Sequence, residues 1–202
     1  MKLERQREIL LGIYSIDYLL KCSVIEFSEK VLKLSPISGK TDMFQKYDPV
    51  VIITDTGGDI TADAADVAEV GDMSGLITLN VYDEEVPEER RVFERYPVSL
   101  MISARKKYSN RRMHMLVKNI SLYGMGVVSQ VELEDEELID IDLITDRSMF
   151  YFNGKVVWKK QQDDIYEYGL QLTHYDVATQ YNFQEYLARQ KTNYANMILK
   201  AR

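Results

Sequence analysis

Residues 90–100 read RRVFERYPVSL, and residues 117–129 read VKNISLYGMGVVS. Each segment places charged or polar residues beside a run of apolar, often β-branched residues, which is typical of a β-strand bounded by a turn or a connection. Two further segments of this kind follow, NGKVVW at 153–158 and YEYGLQL at 166–172. Together these segments predict a β-structure in this part of the chain.

Six strands are predicted after residue 87. They cover Val98–Ala104, His114–Lys118, Gly126–Val131, Leu138–Ile144, Met149–Trp158 and Tyr166–Thr173. In the fourth strand, apolar residues alternate with Asp140 and Asp142, so one face is buried and the other is solvated. Six strands at this spacing predict a barrel or a sandwich.

The last segment of the chain is predicted to be a helix. It begins at Asp176, a good N-cap residue, and continues to about Lys200 without glycine or proline. Apolar and aromatic residues from Phe183 to Ile198 have helix-compatible spacings. The composition leaves three roles open for this helix: it covers the barrel, pairs with a second subunit, or does both.

The N-terminal part is also predicted to be rich in strands, after a short leading helix. Ile9, Ile13, Ile16 and Leu20 are spaced by four, three and four residues, which predicts one face of a helix. Strands are predicted at Cys22–Phe27, Val31–Leu34, Val50–Thr54 and Leu76–Val81. The segment Ile60–Val70 fits either structure, and its alternating polar residues favour a strand.

An acidic segment separates the two parts of the chain. Residues 83–91 read DEEVPEERR, with one proline and almost no apolar residue, as expected for an exposed connection between domains. We therefore predict a β-rich domain with its leading helix at residues 1–86 and a second domain at residues 87–202.

The composition excludes several classes of protein. With 202 residues, 46% of them hydrophobic, the chain is long enough for one domain or two small ones. A single cysteine excludes an intramolecular disulfide, and the two histidines beside it are too few for a four-ligand zinc site. The sequence has no transmembrane run of roughly 20 apolar residues, no secretory signal and no recognisable catalytic motif. A cytoplasmic protein without enzymatic activity is expected.

Positive charge is concentrated in one segment of an acidic chain. Residues 90–118 carry nine Lys and Arg against the single acid Glu94, a balance of +8, whereas the whole chain has a net charge of −7. The acidic flanking segments would repel an extended polyanion along most of its length. This distribution favours a compact anionic ligand over long DNA.

The segments quoted above resemble the PilZ domain, the bacterial receptor module for cyclic di-GMP, over roughly residues 88–200. The family signature is R-x-x-x-R, followed further along the chain by D/N-x-S-x-x-G. Its positions are matched by Arg91, Arg95, Asn119, Ser121 and Gly124. The resemblance implies a C-terminal six-stranded antiparallel β-barrel with a C-terminal α-helix.

The resemblance also implies that these five residues bind the ligand. Cyclic di-GMP presents phosphodiesters and guanines, and a guanidinium group can bind phosphate oxygens or guanine O6 and N7 through two hydrogen bonds. Asn119 and Ser121, two apart on a strand, present uncharged donors and acceptors on one face. Gly124 permits a backbone conformation or a close approach that a Cβ would block. The expected site contains neither a metal nor a catalytic residue.

Other residues near the motif have alternative roles. Arg90 resembles its counterpart in members that bind two stacked ligand molecules rather than one, or else it is a solvated charge of the linker. Tyr123 approaches a guanine or covers the edge of the core. Trp158, the only tryptophan, is expected in the barrel core rather than beside the ligand. His114 and His174 are expected to be ordinary strand residues.

The order of a β-rich domain, an arginine-bearing linker and a PilZ barrel resembles the flagellar brake group. This implies a small N-terminal barrel-like domain, and a receptor whose domains change orientation when the ligand clamps the linker. A protein partner in motility, polysaccharide or biofilm output would respond to that change; no cofactor is expected, and homodimerisation is left open. Two alternatives are RNA or single-stranded DNA binding through residues 90–118, with Tyr96 and Tyr108 stacking on bases, and a PilZ scaffold without ligand.

Overall fold

The computed structural model of the protein describes residues 7–13, 19–38, 40–56, 59–71, 75–81, 92–145, 148–162, 164–190, 192–194 and 196. The chain divides into two compact units. The N-terminal unit contains Met1–Arg90, Pro97–Ser99 and Lys191–Arg202, and the C-terminal unit contains Arg91–Tyr96 and Leu100–Gln190. The strands form two closed barrels, with a helix near the C-terminus. The predicted mainly β fold is therefore confirmed.

Six antiparallel strands form the barrel of the N-terminal unit. They are β1 (Glu8–Ile13), β2 (Leu19–Ser28), β3 (Val31–Ser38), β4 (Pro49–Thr56), β5 (Asp59–Val70) and β6 (Ile77–Val81). Hydrogen bonds close the sheet in the order β1-β2-β3-β6-β5-β4. The segment whose sequence fitted either a helix or a strand is the strand β5, as its alternation predicts.

The predicted leading helix is wrong in the residues that the structure describes. Glu8–Ile13 form β1, which pairs with β2 and β4. Ile9 and Leu11 belong to the core inside the barrel, whereas Leu10 between them packs in a second apolar cluster. Because both faces of β1 are buried, its sequence is a continuous apolar run that cannot be distinguished from a helix by periodicity.

The second apolar cluster contains a residue from near the end of the chain. Leu10, Val51 and Ile53 pack with Tyr194. The hydroxyl of Tyr194 donates a hydrogen bond to the carbonyl oxygen of Pro97. Pro97 and Tyr194 are far apart in sequence, and both are held within the N-terminal unit.

Six further antiparallel strands form the second barrel. They are β7 (Tyr96–Lys106), β8 (Arg112–Ser121), β9 (Gly124–Ser129), β10 (Leu138–Ile144), β11 (Met149–Gln162) and β12 (Ile165–His174). Hydrogen bonds close the sheet in the order β10-β11-β12-β9-β8-β7. Each corresponds to a predicted strand, and β10 has the predicted bounds. Ile139, Ile141 and Leu143 of β10 are buried in the core, as their alternation with aspartates predicts.

The helix α1 (Val177–Ala188) follows β12. Asp176 is its N-cap, as predicted, and hydrogen bonds from Thr179 to the carboxylate lower the pKa of Asp176. The prediction of one helix to about Lys200 is corrected, because α1 ends at Ala188 and Arg189 forms its C-cap. Residues 192–194 are helical again, and residues 197–202 lie outside the described part of the chain.

Helix α1 covers part of the second barrel. Its buried residues are Phe183 and Leu187. The ring of Phe183 packs edge to face on Phe150 and Phe152 of β11, with centroid distances of 5.1 and 4.8 Å. Aromatic pairs of this geometry stabilise a core by more than the burial of their surface alone. Phe183 therefore fixes the helix on the barrel. Within the described residues, no helix has the length and apolarity needed to cross a membrane.

Candidate ligand-binding site

Asn119 and Ser121 lie near the end of β8, opposite two glycines of β9. Backbone pairing places Asn119 opposite Gly126 and Ser121 opposite Gly124. Ile120, between the two polar residues, is fully buried in the core. Asn119 is half-buried and Ser121 is 6% exposed. Because neighbouring side chains of a strand point to opposite faces, Asn119 and Ser121 lie on the outer face of the barrel.

The two glycines leave the room that these side chains occupy. A Cβ at Gly126 would lie 2.7 Å from Asn119 Oδ1, and a Cβ at Gly124 would lie 3.1 Å from Ser121 Oγ. The Ser121 hydroxyl donates a hydrogen bond to the carbonyl oxygen of Gly124 at 3.3 Å. Gly124 does not have a positive φ. The glycine at position 124 therefore permits the close approach of the Ser121 side chain, and it does not adopt a left-handed backbone conformation.

The glycine surface of β9 continues onto β12, and Trp158 of β11 lies beside it. Gly126 pairs with Gly169, and Gly169 pairs with Trp158. The indole ring of Trp158 lies over Gly169, in the space that a side chain at position 169 would fill. Trp158 is 40% exposed, so the prediction that it belongs to the barrel core is wrong. We call the row formed by Asn119, Gly126, Gly169 and Trp158 the glycine row.

Two β-bulges bring the ends of the glycine row to the outer face. The register shifts between Val117 and Asn119 in β8, and between Val156 and Trp158 in β11. Val117 and Val156 are fully buried, and in a regular strand a residue two positions later would point to the same side. The extra residue of each bulge reverses this alternation. Asn119 and Trp158 therefore point outward although each closely follows a core valine.

The arginine half of the motif is partly described. Arg90 and Arg91 lie outside the described residues, whereas Arg95 is described and exposed. Phe93, midway between Arg91 and Arg95, packs its ring on Tyr123, with the centroids 4.8 Å apart and the planes at 64°. This contact joins the linker segment to the β8–β9 turn, Leu122 and Tyr123, which lies between Ser121 and Gly124 of the motif.

Tyr123 is also held by α1 and β12. Its hydroxyl accepts a hydrogen bond from Gln180 Nε2 at 2.8 Å, and its carbonyl oxygen accepts one from Leu172 N at 2.9 Å. Its ring meets the ring of His174 edge to face at 5.4 Å. His174 Nε2 donates to the carbonyl oxygen of Leu122 at 2.7 Å. Tyr123 thus covers the edge of the core, and His174 holds the β8–β9 turn, a role that sequence reasoning missed.

Acidic residues from later parts of the second barrel neutralise much of the basic segment 90–118. The ion pairs are Arg105 with Asp140, Lys106 with Glu137, Arg112 with Asp142 and Lys118 with Glu167. Lys118 has the most buried side chain of these cations, 6% exposed. The balance of +8 in the sequence therefore overstates the positive charge that this segment presents to a ligand.

The two tyrosines of the nucleic-acid alternative have different environments. The hydroxyl of Tyr96 donates a hydrogen bond to Glu94 Oε2 at 2.7 Å. Burial, together with this carboxylate, raises the pKa of Tyr96 to about 12. Tyr108, at the tip of the β7–β8 hairpin, is 99% exposed. Within the described ranges, no three His, Cys, Asp or Glu side chains are grouped to hold a metal ion.

Four residues of this surface lie outside the recognised signature. Gly126 and Gly169 had a signal, because an isolated glycine inside a strand pattern indicates a bulge or the close approach of another group. Phe93 had none, since its contact with Tyr123 joins residues 30 positions apart in the sequence. The outward position of Trp158 depends on a β-bulge, and the apolar run before Trp158 does not indicate this bulge.

Comparisons with known proteins identify the family. Solved structures to which the chain is similar include the inhibitor of motility MotI/DgrA of Bacillus subtilis, at 16% identity, covering 96% of this chain and 99% of that chain, with a TM-score of 0.45. YcgR of Escherichia coli in complex with c-di-GMP is similar at 13% identity, covering 96% of this chain and 88% of that chain, with a TM-score of 0.47. No curated protein matches the chain. The family model of the PilZ domain matches residues 89–189, half of the chain, and the protein therefore belongs to the PilZ domain family.

Proposed function

We propose that the protein is a cytoplasmic cyclic di-GMP receptor without catalytic activity, which binds its ligand on the outer face of the second barrel. The glycine row is the observation that carries this proposal. Asn119 stands at one end of the row and Trp158 at the other, and the two residues between them have no side chains. Membership of the PilZ family supports the choice of ligand.

A guanine suits this surface for chemical reasons. Where strands carry glycines, a flat ring can approach the backbone more closely than a Cβ would allow. The amide of Asn119 offers both a donor and an acceptor, which match the mixed hydrogen-bonding edge of a purine. The exposed part of the Trp158 indole provides an aromatic surface beside the row.

The phosphodiesters of the ligand require cations, and the linker arginines are the suitable ones. Lys118 is next to Asn119 in sequence, but it is buried and paired with Glu167. Arg95 is exposed, and its guanidinium can form two parallel hydrogen bonds to a phosphate or to guanine O6 and N7. We assign Arg95 and Arg91 to this role, and Arg90 to a second stacked ligand molecule.

The binding of the linker arginines would carry the signal. A ligand bound between the linker arginines and the barrel would restrict the connection between the two units, so it would favour one of their relative orientations. The output would be a change in the surface offered to a protein partner in motility or polysaccharide production. Small-angle scattering with and without saturating ligand tests this step, and an unchanged scattering curve would contradict it.

Nucleic-acid binding is less well supported than it was by the sequence alone. A polyanion needs several accessible cations, and four cations of residues 90–118 are paired with acids. Tyr96 donates a hydrogen bond to Glu94. Of the two tyrosines expected to stack on bases, Tyr108 is the one with a fully exposed ring.

Isothermal titration with cyclic di-GMP at moderate salt tests the proposed ligand, with GTP and a short RNA as controls. We expect selective binding and a loss of at least about tenfold in affinity for Arg91→Ala or Arg95→Ala, because charge-assisted hydrogen bonds contribute about 1.5–3 kcal/mol each. Arg111→Ala is the matched control, an exposed arginine of the same segment that should leave the affinity unchanged. A ratio near two ligands per chain would support the role of Arg90. Absence of binding to the wild type would contradict the proposal.

A further inference from the structure

Phe93 differs from its neighbours in the linker segment. Val92 is 86% exposed, whereas Phe93 is 40% exposed. Both Glu94 and Arg95 are also exposed. Phe93 is less exposed than Val92 because its ring packs on Tyr123 at a centroid distance of 4.8 Å. This contact connects an exposed segment, residues 92–95, to Tyr123.

The residue that receives Phe93 is fixed in several directions. Tyr123 is bound through its hydroxyl by Gln180 of α1 and through its carbonyl oxygen by Leu172 of β12. Its ring also contacts the ring of His174, which in turn donates a hydrogen bond to the carbonyl oxygen of Leu122. A ring held in this way is a rigid platform, so contact with it restricts the linker more than contact with a mobile surface side chain would.

The contact also has a specific place in the motif. Phe93 lies two residues after Arg91 and two before Arg95, while Tyr123 lies between Ser121 and Gly124. None of the five signature residues takes part in this contact. The two halves of the signature are therefore joined by two residues that the signature does not include.

We infer that Phe93 is a positioning residue, which holds the R-x-x-x-R segment against the barrel before the ligand arrives. Ordering a free linker on binding costs conformational entropy, and prior anchoring reduces that cost. The contact thus raises ligand affinity without touching the ligand. The effect on affinity rests on the proposed function, whereas the anchoring of the segment does not.

Anchoring is tested first in the absence of ligand. Trypsin cleaves after Arg95 only when the surrounding backbone leaves its docked conformation. Mass spectrometry measures cleavage at this bond, and peptides spanning residues 88–102 with the same substitutions correct for sequence preference of the protease. We expect Phe93→Ala to be cut several-fold faster than the wild type, and Phe93→Tyr to be protected. Val92→Ala is the matched control, since Val92 is exposed, and should be cut at the wild-type rate. Equal rates for Phe93→Ala and Val92→Ala would overturn the inference.

Titration with cyclic di-GMP then tests the effect on affinity. Edge-to-face aromatic contacts have measured couplings that correspond to about a three- to tenfold change. We expect a loss of this size for Phe93→Ala, little loss for Phe93→Tyr and none for Val92→Ala. In Tyr123→Ala, checked by circular dichroism for a native barrel, a second substitution Phe93→Ala should add little. Faster cleavage with unchanged affinity would overturn the positioning role. If no variant and no wild-type protein binds cyclic di-GMP, the proposed ligand fails, while the cleavage rates still decide the anchoring.

Discussion

The side-chain amide of Asn119 lies against Gly126 on the neighbouring strand, so that a Cβ at Gly126 would stand 2.7 Å from Asn119 Oδ1 and 2.9 Å from its Nδ2. The two residues are directly paired across β8 and β9. The position of a signature residue thus depends on the absence of a side chain at a residue outside the signature. Real Cβ atoms do not tolerate such a distance, so a side chain at position 126 must displace the amide.

The substitution Gly126→Ala tests this dependence. We expect it to weaken cyclic di-GMP binding to the same extent as Asn119→Ala, because in both variants the amide is lost from the site. Neutral hydrogen bonds contribute about 0.5–1.5 kcal/mol, which corresponds to about a two- to tenfold loss. Titration calorimetry measures the affinity. Gly12→Ala in β1 is the control, since the nearest atoms to its Cβ would be 3.9 Å away. Wild-type affinity in Gly126→Ala would remove Asn119 from the site.

The position of Trp158 gives a direct optical test of the same surface. As the only tryptophan, it accounts for the tryptophan fluorescence of the protein. It stands at one end of the glycine row and is 40% exposed. We expect cyclic di-GMP, but not GTP, to change this emission with a midpoint equal to the calorimetric affinity. In Gly169→Ala the new Cβ displaces the indole into water, so the ligand-free emission should shift to longer wavelength. Constant emission at saturation would mean that the ligand binds elsewhere.

The sequence predicts most of the fold because apolar and polar residues alternate in strands that have one face in the core and the other in solvent. In β10, Asp140 and Asp142 separate the core residues, and the predicted and observed bounds coincide. In β1 this information is missing, since Leu10 is covered outside the barrel as Ile9 and Leu11 are covered inside it. A helix was wrongly predicted there because the spacing of apolar residues does not distinguish a helix from a strand that is buried on both faces.

The site was less predictable than the fold because its geometry depends on pairing between distant strands. Two bulges reverse the direction of Asn119 and Trp158, and a bulge shifts the register without leaving a distinctive residue behind. Charge was misjudged for a related reason. Lys118 counts as a cation in a local sum, but its partner Glu167 lies on β12.

The thiol of Cys22 makes stability sensitive to alkaline pH. Cys22 is fully buried in the N-terminal barrel, and burial raises the pKa of its thiol from 9.0 to about 12. The unfolded chain loses this proton at a lower pH than the native protein, so the contribution to stability is complete below pH 9 and is lost as the pH rises toward 12. Between neutral pH and about pH 10.5 the loss is roughly 2 kcal/mol.

Urea unfolding at several pH values measures this effect. We expect Cys22→Ala to be less stable than the wild type at neutral pH, because it leaves a small cavity, but it lacks the titrating group. We therefore expect the difference between the two proteins to shrink above pH 9. A difference that stays constant up to pH 11 would show that the native thiol ionises as easily as the unfolded one.

The ion pair between Lys118 and Glu167 joins β8 to β12, the two strands on either side of β9. The Lys118 side chain is 6% exposed and that of Glu167 is 20% exposed, so Glu167→Ala removes a carboxylate that contacts a buried ammonium group. We expect Glu167→Ala to lower the free energy of unfolding by about 3 kcal/mol. The control is Glu26→Ala, which breaks the exposed pair with Lys33 and should cost no more than about 1 kcal/mol. Urea unfolding compares the variants. Adding Lys118→Met to Glu167→Ala removes the buried ammonium group as well and should recover most of the loss. If it does not, packing of the Glu167 side chain, rather than its charge, supports this part of the barrel.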